Sequence, residues 1–84
     1  MNRKALQTLI EASAVKRARI VANGSRLHIE VDAPGRSFVI ETDKGAVRTW
    51  QSIDSAAKWL RGLGIGQVAL ELAHWNPDQR SLLA

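Results

Sequence analysis

Three groups of side chains in this sequence have types and spacings that could do chemistry. His28, Glu30 and Asp32 alternate along the run Arg26-Leu27-His28-Ile29-Glu30-Val31-Asp32, offering one nitrogen and two carboxylates on a single strand face. Same-face neighbours on a strand lie about 7 Å apart, so three of them do not converge on one small cation without help from elsewhere. A solvated sheet face is the simpler reading, and nothing ties His74, the other histidine, to His28. Ser55-Ala56-Ala57-Lys58 fits S-x-x-K, in which a serine nucleophile and a lysine share a helix face. That motif works only in a much larger enzyme with further catalytic loops, none of which this sequence shows, and a plain helix surface is preferred. Gly62-Leu63-Gly64-Ile65-Gly66 resembles a phosphate loop in composition alone. Phosphate is held where glycines open a helix and free N–H groups face the anion; here they close one, so Gly64 reads as a left-handed C-cap. No catalytic residue, metal site or cofactor is expected, and nucleotide hydrolysis within the chain is rejected.

Charge is the one global signal. Net charge is +4, from 12 Lys and Arg against 8 Asp and Glu. Residues 1–26 carry Arg3, Lys4, Lys16, Arg17, Arg19 and Arg26 against Glu11, a net of +5, and the remainder carries −1. Cations gathered on a helix and its exit are the electrostatic footprint of phosphate contacts, so these six are the candidate nucleic-acid-binding residues. The alternative is a solvated helix end that satisfies the helix dipole and keeps a small protein soluble. Three Trp accompany one Phe and no Tyr. Core packing is the default for each Trp, yet Trp50, Trp59 and Trp75 are also candidate partner-binding residues, because exposed Trp is enriched at interface hot spots.

The elements that must position these residues follow from periodicity. Asn2 caps a helix from Arg3 to about Val15, with Leu6, Leu9 and Ile10 on one face. Arg19-Ile20-Val21-Ala22 and Arg26 to Asp32 flank Asn23-Gly24, a strong hairpin signal because both residues accept positive φ. Ala33-Pro34-Gly35-Arg36 forms a second turn into a strand over 37–42, and Asp43-Lys44-Gly45 a third into a short strand over 46–50. Ser52 caps a second helix with Ile53, Ala56, Ala57, Leu60 and Leu63 on one face, and Gln67 to Ala73 alternates as a last strand. The fold class is therefore α+β: an N-terminal helix, an antiparallel meander of three to four short strands, a second helix packed on the sheet and a final C-terminal strand. Residues 1–76 form one domain and 77–84 a C-terminal tail.

Composition narrows the classes. At 45% hydrophobic and 24% charged the chain is one small soluble domain, whose modest core can lean on a partner or a twin subunit. Zero cysteines exclude disulfides, thiolate zinc sites and thiol nucleophiles. The broken apolar run after Arg3 and Lys4 does not form a signal peptide, and no stretch approaches a membrane span, so a cytoplasmic protein is expected.

Two blocks carry a resemblance. Residues 1–20 (MNRKALQTLIEASAVKRARI) and 53–66 (IDSAAKWLRGLGIG) are similar to the small ParC-type partition-associated proteins of bacterial plasmids and mobile elements. The resemblance implies an accessory part in plasmid maintenance, beside a ParA-like ATPase or other plasmid-maintenance protein that supplies the nucleotide chemistry. It brings no binding residues with it. The expected function is a non-enzymatic accessory protein that binds a protein partner and, through its basic N-terminal region, DNA; the alternative is a protein-interaction module, a homodimer, without nucleic acid.

Overall fold

The structure, a computed structural model, describes residues 1–76; the 77–84 tail lies outside the described residues. The elements are α1 (Arg3–Glu11), β1 (Arg17–Gly24), β2 (Arg26–Ala33), β3 (Arg36–Val39), α2 (Ile53–Gly62) and β4 (Val68–Trp75). The strands form one sheet in the order β3-β2-β1-β4, antiparallel except that β4 runs parallel to β1. The expected α+β class and element order hold. Ala18, Ile20 and Ala22 of β1 and Leu27, Ile29 and Val31 of β2 are buried together with Leu6 of α1 and Ala56 and Leu60 of α2. Both helices thus cover one face of the sheet, and the other face is left to the polar alternates.

The hairpin turns one residue later than Asn-Gly suggests. Asn23 pairs with Arg26, leaving Gly24 and Ser25 as the loop, and only Gly24 has positive φ, at 66°. A glycine at the first loop position alone is the pattern of a type II′ turn, not the type I′ turn of Asn-Gly. The shift moves the register by two, so Arg17 faces Asp32 and Arg19 faces Glu30, both opposite-charge pairs. Pro34-Gly35 behaves as expected, with Gly35 at φ 80° closing β2 onto β3.

The strand expected over 46–50 is absent. The edge of β2 is already occupied from Ala33 to Ile29 by Arg36 to Ile40, whose N–H donates to the Ile29 carbonyl. Only Leu27 remains open, and Trp50 fills it with two backbone hydrogen bonds of 2.8 and 3.0 Å. The intervening chain leaves the sheet as a small loop held by the Glu41–Val47 bridge.

The helices are capped as read: Asn2 accepts from the Ala5 N–H and Ser52 from the Ser55 N–H. α2 ends with Gly64 at φ 94°, its N–H on Arg61 and the Ile65 N–H on Leu60, a Schellman closure. α1 stops at Glu11, short of Val15, because Ser13 takes the same left-handed position at φ 55° and repeats the closure through Ile10 and Leu9. Lys16, Arg17 and Arg19 therefore lie beyond the helix and do not serve its dipole. A β-carbon in that conformation costs about 1–2 kcal/mol, against about 0.5–1 kcal/mol for the extra freedom of an unfolded glycine. Ser13→Gly is accordingly expected to stabilise the fold by about 0.5–1 kcal/mol, read as a rise in melting temperature of roughly 4 °C. An unchanged or lower value would mean that the serine side chain contributes more than its backbone costs.

Candidate functional site

The open face of the sheet collects charge around Arg19. Its guanidinium reaches Glu71 at 2.8 Å, Glu30 at 2.9 Å and both oxygens of Asp32, so one cation ties β1, β2 and β4 together. His28 Nε2 lies 2.8 Å from Glu30, Arg17 donates to Asp32 at 3.2 Å, and the Ser37 hydroxyl donates to Asp32 at 2.7 Å. The three alternating residues of β2 are thus engaged with neighbouring side chains. Among the described residues no group of three or more His, Cys, Asp or Glu is placed to hold a metal ion.

These contacts set the titration of the face. The Ser37 hydroxyl, followed by Arg19, holds the Asp32 carboxyl down to about 2. Glu30 is also lowered, first by His28 and then by the charge of Arg19, against the opposing effect of burial. Arg19 is raised above its already high ordinary value, by Glu71 first and Asp32 next. A carboxylate depressed in the folded state contributes stability that is whole above its unfolded value and is lost as pH falls through its folded value. Urea midpoints are therefore expected to fall between about pH 4 and about pH 2, and Asp32→Asn to flatten that fall. A wild-type midpoint constant across this window would contradict the assignment.

The six N-terminal cations are not brought together. Arg19 has only 13% of its side chain exposed and is surrounded by carboxylates, so it is not presented to a ligand. Arg17 sits at the far end of the β1–β2 hairpin from Arg26, about 20 Å along the strands. Lys16 is exposed just before β1, and Lys4 is exposed on α1. Arg3 lines an open groove of about 500 Å³ on the helix side, shared with Arg48, Lys58, Trp59, Gly62 and Leu63. Arg48 lies 5.2 Å from the Trp59 ring centre and 5.4 Å from that of Trp50, within cation–π range. The two indoles are 5.3 Å apart and tilted by 58°, half-buried against the core. Trp75 is apart from them, 39% exposed at the end of β4, beside a smaller cavity lined by Ser25, Leu27 and Ile53.

Arg48 and Lys58 fall in the stretch whose net charge is −1, and charge counted along the chain passes over them. Their one sequence signal is proximity to Trp50 and Trp59. Lys58 is paired with Asp54 at 3.2 Å, but both side chains are more than three-quarters exposed, and such a pair is weak. The groove therefore presents three cations around an aromatic edge, while Glu30, Asp32 and Glu71 are held on the opposite face of the sheet.

Residues 1–79 match a family model described as ParC-like. The chain belongs to the ParC-like family. This agrees with the likeness carried by residues 1–20 and 53–66, and it supports a plasmid-related accessory role in coarse terms. No curated protein and no solved structure matches this ParC-like chain. No helix among its described residues is long and apolar enough to cross a membrane.

Proposed function

We propose that the protein is a non-enzymatic accessory factor of plasmid partition or stability that acts by binding, taking DNA phosphates at the groove of Arg3, Arg48 and Lys58 and a ParA-like ATPase as its protein partner. The observation that supports the DNA part is the separation of charge across the sheet: acids neutralised on the open face, cations grouped around Trp59 on the helix face. Phosphate contacts by such cations release counterions, and the Trp59 edge offers a surface on which a sugar or base can rest without sequence preference. Lys4 and Arg61 are exposed on α1 and α2, the helices that supply Arg3 and Lys58. Arg17, Arg19 and Arg26 lie outside the groove. The ATPase partner is proposed from the likeness of residues 1–20 and 53–66 to partition-associated proteins and rests on no surface described above.

Fluorescence anisotropy with a labelled duplex, titrated at several salt concentrations, tests this reading. Arg3→Gln and Lys58→Gln are each expected to lower the salt slope by about one and to weaken binding to all sequences alike. Arg17→Gln, 61% exposed on the other face, is expected to leave both unchanged. No complex at low salt, or equal losses from Arg17→Gln and Lys58→Gln, would remove DNA from the account. The alternative reading, a protein-interaction module without nucleic acid, is favoured by a separate observation, the apolar edge of β4.

A further inference from the structure

The two edges of the sheet are treated differently. The β3 edge is four residues long, is entered through Pro34, and carries Arg36 stacked over Phe38 at 4.5 Å. Short length, proline and charge are the usual means of preventing one sheet from pairing with another. β4 is eight residues long, Val68-Ala-Leu-Glu-Leu-Ala-His-Trp75, without Lys, Arg or Pro, and its one irregularity is a bulge against β1 between Glu71 and His74, so the regular part of its edge is Val68 to Glu71. Its single acid, Glu71, is turned onto Arg19 of its own chain.

The side chains of β4 repeat the message. Val68 and Leu70 stand in register with Ala18 and Ile20, both buried, and so belong to the core face. Yet Leu70 is 47% and Leu72 41% exposed. α2 packs mainly over β1 and β2, and of the β4 residues Val68 packs against the core while Leu70 and Leu72 stay exposed. Among the described residues, a strand of core character is thus left at the margin of the sheet with its outer backbone edge unpaired and Leu70 and Leu72 exposed.

We propose that β4 pairs antiparallel with β4 of a second copy of this chain, joining two four-stranded sheets into one of eight strands about a two-fold axis at Leu70. The sequence of β4 is what selects a second copy. An axis at Leu70 sets Leu70 against Leu70, Val68 against Leu72 and Ala69 against Glu71, so Leu70 meets an apolar partner and no like charges meet. An axis one residue on, at Glu71, would oppose two carboxylates, which is destabilising. A self-complementary patch of this kind is what an isologous dimer requires. Since the axis is perpendicular to the sheet, both helix layers stay on one side, and the Leu70 side chains of the two copies meet there. The dimer is independent of the DNA reading. If both hold, two grooves face the same way and one duplex engages them together with a gain in avidity.

The test uses the full chain without DNA. Light scattering after size exclusion is expected to give twice the 9.2 kDa chain mass at micromolar concentration, and Leu70→Lys to halve it while the far-UV spectrum is retained. Because the chain has no cysteine, Leu70→Cys supplies a second readout that does not depend on weakening the interface. Residues paired across an axis have β-carbons about 5 Å apart, so oxidised Leu70→Cys is expected to run as a covalent dimer, and Val47→Cys, 52% exposed elsewhere, as a monomer. A wild-type monomer at high concentration would overturn the proposal. So would a wild-type dimer in which Leu70→Cys fails to cross-link, or one that Leu70→Lys leaves intact.

Discussion

Leu60→Ala is expected to destabilise the fold by about 3 kcal/mol, within the range of roughly 2–5 kcal/mol found for truncating a fully buried leucine. Leu60 has no exposed surface, lies on the inner face of α2 with Ala56, and its carbonyl accepts the Ile65 N–H that closes the helix. Alanine favours helix at least as well as leucine, so the loss comes from burial and the cavity alone. A domain of this size is stable by only about 4–12 kcal/mol in total, so this one change removes a large share. The melting temperature is expected to fall by about 12 °C or more. Val47→Ala, at a position 52% exposed, is expected to move it by a degree or two at most. Equal small effects at both sites would contradict the placement of α2 on the sheet.

Arg19→Met is the second large effect, expected at about 2–3 kcal/mol. Methionine preserves much of the stem but leaves Glu30, Asp32 and Glu71 without the cation that joins them, and removing one member of a partly buried ionic cluster costs more than the cluster itself contributes. The figure is placed below the 3–5 kcal/mol of fully buried pairs because Glu71 is 45% exposed and its contact is screened. Arg17→Met provides the comparison. Its side chain is 61% exposed with one hydrogen bond to Asp32, and a loss under about 0.5 kcal/mol is expected. Arg19→Met should also lessen acid sensitivity, since its charge helps hold Asp32 and Glu30 below their ordinary values. Chemical denaturation at pH 7 and pH 3 measures both; parity between the two arginine variants would sink the central role of Arg19.

Local signals proved legible and long-range ones did not. The caps at Asn2 and Ser52, the Pro34-Gly35 turn and the Gly64 closure each depend on a few neighbouring residues, and the sequence contains all of them. Leu27, Ile29 and Val31 were readable as a core face because alternation is a local property of a strand. What decided the rest lies far along the chain. The strand over 46–50 failed because Arg36 to Ile40 had already taken its place on β2. Arg19 read as a phosphate ligand by its neighbours Lys16 and Arg17; its partner Glu71 is 52 residues away, and only the parallel pairing of β4 with β1 brings them together. The groove has the same origin, since Arg3, Arg48 and Lys58 come from three separate segments.

The most direct test of the binding role is an NMR titration of the labelled protein with a short duplex at low salt. Three indole N–H signals report separately on Trp50, Trp59 and Trp75. The Trp59 indole and the backbone amides of Arg3, Arg48, Lys58 and Leu63 are expected to shift together, the shifts to vanish as salt is raised, and the amides of His28, Glu30 and Asp32 to stay in place. Shifts centred on Arg17, Lys16 and the open face with Trp59 unmoved, or none at all, would contradict that binding role.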